Sequence, residues 1–149
     1  MERKVLLVGS GSNGKTIFVQ RLRRIYEGCV GVRSEEAVVV IVPTEHGTYE
    51  TWQWFYLPDD VEQFDTVVFM FDYGGSDSLR DAVREVKEYK RITNRDFFLV
   101  GNKCDLEEPE ITADDIGKTQ MAFNVRIDHI SAQKWTDAQI KEFWEYLVQ

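Results

Sequence analysis

The sequence predicts a single α/β domain, residues 1–149, built on a six-stranded, mostly parallel sheet with helices on both faces. Three observations predict it. Short apolar runs alternate with stretches of helical period, as a sheet covered on both sides requires. The 149 residues, 43% hydrophobic and 13% aromatic, are enough for one substantial core and too apolar for a disordered chain. A glycine-rich stretch, GSGSNGKT at 9–16, falls between the first apolar run and the first helical one.

The elements follow in order. Lys4–Val8 reads as a buried strand, because its apolar residues are continuous instead of alternating. From Lys15 to about Tyr26, Phe18, Leu22 and Ile25 form one helical stripe. Ala37–Val42 and Tyr49–Leu57 flank the turn-rich Pro43–Gly47 and suggest a hairpin, with Thr51, Gln53 and Phe55 alternating against Trp52, Trp54 and Tyr56. Thr66–Phe71 is a central strand. Ser78–Ile92 is a helix with Leu79, Ala82, Val83, Val86 and Tyr89 on its inner face. Phe97–Val100 and Ile127–Ile130 are the last two strands. Thr112 with Asp115, and Thr136 with Gln139, have capping-box spacing and open the two remaining helices. The final helix repeats Ile140, Phe143, Trp144 and Leu147 on one face. No repeat, linker or low-complexity segment interrupts the pattern.

A formal net charge of −8 argues against nucleic acid or anionic membrane as a partner. The basic stretch Arg21, Arg23 and Arg24 reads as an exposed helix face. Cys29 and Cys104 have no C-x-x-C spacing and are expected to be free thiols of a reducing, cytoplasmic environment. No run is long enough to span a bilayer, and no signal peptide or lipidation box is recognisable, so no direct membrane anchor is expected.

The stretch 9–16 is G-x-x-x-x-G-K-T between a strand and a helix, the context in which this pattern cradles phosphate, and it makes the chain a P-loop NTPase domain. Gly9 and Gly14 allow a tight turn that aims the amides of the loop, Gly11, Ser12 and Asn13 among them, at a phosphate group. Lys15 would reach the β- and γ-phosphate oxygens and is the candidate catalytic residue. Thr16 would give its hydroxyl to Mg²⁺.

The base is read from Asn102-Lys103-Cys104-Asp105, which follows the fifth predicted strand and so falls at the same sheet edge. Here the chain resembles the Ras-like small GTPases, whose N-K-x-D motif recognises guanine. The resemblance implies that Asp105 accepts from the guanine N1 and N2 groups. It also implies that Asn102 ties the motif to the phosphate loop and that the stem of Lys103 covers one ring face. A carboxylate matches guanine's two adjacent donors and meets an acceptor on adenine, and charge-assisted bonds of about 1.5–3 kcal/mol each would discriminate strongly. Ser131-Ala132-Gln133, after the sixth predicted strand, is similar to the family's S-A-K loop. Ala132 would offer its N–H to guanine O6, Ser131 would brace the loop, and Gln133 replaces the usual lysine.

The middle of the chain departs from the family. No D-x-x-G follows the third predicted strand; the chain runs Pro58-Asp59-Asp60-Val61-Glu62-Gln63 and starts the next strand. Asp59 or Asp60 near Mg²⁺, and Gln63 near the nucleotide, compete with a reading of all three as solvated loop residues. Asp72-Tyr-Gly-Gly75 spells D-x-x-G but leads straight into a helix, where the family has a plain turn. Ser34 falls where a second Mg²⁺ ligand is expected, Arg33 is a candidate cationic finger, and Tyr26 is a candidate for the aromatic that packs on guanine. The resemblance implies a protein that binds GTP or GDP with Mg²⁺ and hydrolyses GTP slowly as a signalling or trafficking switch, with protein effectors or regulators as partners. The alternative is a pseudo-GTPase scaffold that binds partners without cycling, by way of an exposed aromatic edge at Trp52, Trp54 and Tyr56.

Overall fold

The continuous apolar run at the start of the chain becomes β1 (Glu2–Val8), the central strand of the sheet. Alternate residues serve opposite faces: Val5 and Leu7 enter one core, Leu6 and Val8 the other, which is why the run carries no polar position. The computed structural model describes residues 2–9, 14–33, 38–103 and 106–149, with the side chain of Arg33 set aside.

After β1 come α1 (Lys15–Ile25), β2 (Val30–Arg33), β3 (Val38–Thr44) and β4 (Gly47–Trp54). A single 3-10 turn (Val61–Gln63) then precedes β5 (Thr66–Asp72) and α2 (Ser76–Ile92). The chain ends with β6 (Phe98–Asn102), α3 (Ala113–Phe123), β7 (Ile127–His129) and α4 (Asp137–Val148). The strand order is β2-β3-β4-β1-β5-β6-β7. From β4 to β7 the pairs are parallel; β3 is antiparallel to both β2 and β4.

The sheet therefore has seven strands, not the expected six. The addition is β2, an edge strand with Gly31 at its centre. Val30 and Val32 are 55% and 50% exposed, so no described side chain of the strand enters the core and the sequence carries no burial pattern there. The hairpin at Pro43–Gly47 forms as expected, closing through Thr44 opposite Gly47. Both capping boxes form, at Thr112 with Asp115 and at Thr136 with Gln139.

Helices α1 and α4 cover one face, where Phe18, Leu22, Ile140 and Trp144 meet Val5, Leu7 and Met70. On the other face, α2 and α3 bury Leu79, Val86, Tyr89 and Ile116 against Leu6, Phe69 and Leu99. Residues 55–65 run down this second face in place of a helix. Leu57 N–H donates to Glu85 of α2, and Arg95 donates to the carbonyls of Glu62 and Phe64. Pro58, Val61 and Phe64 are its buried residues, and the last two enter the second core. No helix among the described residues is long and apolar enough to cross a membrane.

Candidate functional site

The carboxyl ends of β1, β4, β5 and β6 lie along one edge of the sheet. The chain leaves β1 toward β2–β4 on one side and toward β5–β7 on the other, which makes the end of β1 a topological switch point. Gly9 N–H donates to the Trp54 carbonyl at 3.1 Å, joining the ends of β1 and β4. Gly14 enters α1 with φ +93°, a conformation glycine adopts freely, and its carbonyl accepts from Phe18 N–H at 2.9 Å. No described side chain caps the start of α1, leaving a helix N-terminus of the kind that receives anions.

Lys15 is only 5% exposed. Its ammonium donates to the Gly9 carbonyl and sits 5.5 Å from the centroid of the Phe55 ring. Burial lowers its pKa to about 8. A cation is thus already housed at the mouth of the phosphate loop. Thr16 is exposed beside it, and its hydroxyl donates to Gln53 Oε1 at 3.3 Å.

Asn102 joins the two loops that the motifs single out. It is 2% exposed, and its Oδ1 accepts from Ala132 N–H at 2.9 Å. Its amide lies so close to Gly14 that a Cβ there would stand 1.8 Å from Nδ2. The Ala132 N–H expected to face guanine O6 is thus engaged by Asn102, and an incoming base oxygen has to share or displace that bond. Ser131 and Ala132 are buried beside it, and Gln133 is exposed. Lys103 has φ +63°, a sparsely occupied conformation for a residue with a side chain, and its ammonium pairs with Asp72 at 2.5 Å. The other Asp72 oxygen accepts from Gly74 N–H at 2.7 Å, so the literal D-x-x-G at 72–75 is a turn leading into α2 that also anchors Lys103.

Two residues with roles at this edge escaped the sequence reading. Arg21, read as part of an exposed basic face, is turned inward: its guanidinium donates to the carbonyls of Ala132 and Trp135 and pairs with Asp137 at 2.7 Å. It braces the 131–135 loop from α1. Gln53, read only as one of an alternating series, faces Thr16. The signal for Gln53 was its place at the end of the strand next to β1; nothing local marked Arg21.

Other expectations are corrected. Gln63, weighed between the nucleotide and a solvated loop, lies at the opposite edge: its Oε1 accepts from Lys4 near the other end of β1 at 3.3 Å and its Nε2 donates to the Asp60 carbonyl. Asp60 is held at that far edge with it. Tyr26 also lies away from the site: it walls a hollow of about 560 Å³ with Tyr49, Trp144 and Glu145 between the β3–β4 hairpin and the ends of α1 and α4. The aromatic edge is only partly exposed. Trp52 and Trp54 stack on each other at 5.9 Å and pack against the second core, while Phe55 and Tyr56 are 57% and 66% exposed. Gly11, Ser12, Asn13, Ser34, Cys104 and Asp105 lie outside the described residues, as does the side chain of Arg33.

Mg²⁺ is the ion that a P-loop site implies, and the described donors fit it poorly. The threonine hydroxyl is present, but the side chain it meets is a neutral amide where such sites place an aspartate. Among the described residues, no group of three or more His, Cys, Asp or Glu side chains is arranged to hold a metal.

The chain is 25% identical over 138 residues to an ADP-ribosylation factor-like protein of Dictyostelium discoideum, a match covering 78% of this chain and 74% of that protein. The match supports the resemblance to Ras-like small GTPases. No protein-family model matches the chain. The similarity is a distant one, and the α/β sheet fits a small GTPase-like domain.

Proposed function

We propose that this chain is a guanine-nucleotide-binding protein of small-GTPase type that grips GTP or GDP firmly and hydrolyses GTP slowly. The observation that carries the reading is Asn102, buried between Gly14 of the phosphate loop and Ala132 of the third loop. A side chain in that position makes phosphate binding and base binding one structure. Lys15 and the α1 N-terminus would meet the phosphates. Asp105 and Ala132 would read the guanine, with Lys103 positioned over the ring by Asp72.

Phosphoryl transfer depends on positioning the attacking water and stabilising charge. Lys15 supplies charge, but Gln63 is held at the far edge of the sheet and leaves the attacking water without that guide. The test is to denature the purified protein and identify released nucleotide chromatographically, with titration of a fluorescent GDP analogue against its adenine counterpart. Guanine nucleotide in the supernatant and preference for the GDP analogue are expected. Preference for the adenine analogue would overturn the assignment of the base.

A second reading, a pseudo-GTPase scaffold, draws on the segment 55–65. It is pinned by Phe64, Val61 and Arg95 and lacks the loop and helix of a conventional switch. Exposed Phe55 and Tyr56 would then offer a fixed surface to a protein partner. Partner capture that differs between the GDP and GTP-analogue states would rule the scaffold out.

A further inference from the structure

In P-loop sites the loop's threonine hydroxyl binds Mg²⁺, and an aspartate on a nearby strand helps hold the ion. Thr16 is that threonine. The neighbours of β1 in this sheet are β4 and β5, so an acidic partner would come from the carboxyl end of one or the other. On β4 the residue opposite Thr16 is Gln53, whose Oε1 accepts the Thr16 hydroxyl at 3.3 Å. On β5 the terminal residue is Asp72, but its two oxygens accept from Gly74 N–H and Lys103. Of the two other acids considered for this role, Asp60 is tied through Gln63 to Lys4 at the far edge, and Asp59 precedes it in the same exposed turn.

A glutamine amide can orient a hydroxyl but adds no negative charge. Mg²⁺ gives up its water reluctantly and is ordinarily retained by one or two carboxylates together with substrate phosphates. With the carboxylate replaced by an amide, the Thr16 hydroxyl is the donor that the described residues would add to the phosphates in holding the ion. The site has another cation in place: the Lys15 ammonium, buried between the Gly9 carbonyl and the Phe55 ring.

We infer that Gln53 makes guanine-nucleotide binding by this chain nearly independent of Mg²⁺, the phosphate charge being met by Lys15 and the N-terminus of α1. The inference rests on the guanine-nucleotide reading above. Gln53 is therefore the residue that removes the ordinary dependence on the ion, and Gln53→Asp is the change that restores it.

The test is titration of the full chain with a fluorescent GDP analogue in Mg²⁺ buffer and in excess EDTA, for wild type, Gln53→Asp and Gln53→Glu. Wild-type affinity is expected to change by less than about threefold between the two buffers, and at least one acidic variant to bind at least about tenfold more tightly with Mg²⁺ than without. Thermal melting of each variant without nucleotide identifies one that fails to fold. Wild type losing about tenfold or more of its affinity in EDTA would overturn the inference and leave the nucleotide reading intact. Folded acidic variants that stay indifferent to Mg²⁺ would overturn the role of Gln53. Absence of binding in both buffers would instead sink the nucleotide reading, and this inference with it.

Discussion

Asn102 and Gly14 depend on each other within a few ångströms. Replacing Asn102 with alanine leaves the buried Ala132 N–H without its 2.9 Å acceptor, and an unmet buried donor costs about 1–3 kcal/mol. Gly14→Ala adds a Cβ at φ +93° and drives it to 1.8 Å from Asn102 Nδ2. The same Cβ would stand 3.7 Å from the Asn102 Cβ, which is ordinary contact, so truncating Asn102 removes the clash and leaves only the backbone strain. The double variant should therefore be more stable than the sum of the two single losses, as urea denaturation of all four proteins would measure. Strict additivity would mean that the two residues do not touch. Gly14 and Asn102 were legible in the sequence because their motifs are local and sit beside strands. Arg21 was not, because its partners Ala132 and Trp135 lie 111 and 114 positions away and the two arginines that follow it, Arg23 and Arg24, are exposed.

At the scale of elements, the segment 55–65 gives the clearest contrast between reading and structure. Its polar composition left two readings open, a solvated loop or residues reaching the nucleotide. It descends the sheet face, because Val61 and Phe64 can be buried only by lying against β1, β5 and α2. Two pegs spaced by polar residues make too short a pattern to recognise as either helix or strand. Phe64→Ala should cost about 3–5 kcal/mol by chemical denaturation, the range for emptying a large core position. Guanine-nucleotide affinity should change little in the folded fraction, since the ring that Phe64 meets, Trp52, packs against the second core; a large loss of affinity at retained stability would make the segment part of the site. The α1–α4 contact gives a second prediction. Hydrogen bonds from Arg24 and then Arg21 hold the Asp137 carboxyl below the ordinary carboxylate range. A carboxyl whose pKa is lower folded than unfolded stabilises the fold above its unfolded pKa of about 3.9, and that contribution is lost as pH falls through the folded value. Asp137→Asn should be less stable than wild type near neutral pH, with the difference shrinking on acidification below about pH 4. A gap that persists unchanged in acid would assign the effect to helix capping instead of to the ion pair.

Across the whole molecule, the sheet separates two edges that the linear motifs could not separate. The core strands and the helices between them were readable, because burial on both faces enforces continuous apolar runs. Edge strand β2 was not, since its valines are half exposed, and neither was the destination of Gln63, which depends on which way the chain runs between β4 and β5. That direction determines the expected chemistry. With Lys15 at one edge and Gln63 bonded to Lys4 near the other, the molecule holds charge stabilisation and the candidate water guide a strand's length apart. GTP loaded onto the protein should accordingly be cleaved at or below roughly 10⁻⁴ s⁻¹ in a single-turnover assay, the order of an unassisted small GTPase. Gln63→Ala should leave that rate unchanged, which separates this account from one in which the segment swings up to the nucleotide. Lys15→Ala should weaken nucleotide binding by at least about tenfold, because it deletes the resident cation, while any hydrolysis per bound nucleotide remains near the same background. Rapid cleavage in wild type that falls with Gln63→Ala would mean that residues 55–65 leave the sheet face during turnover, and that Phe64 and Val61 do not hold them there.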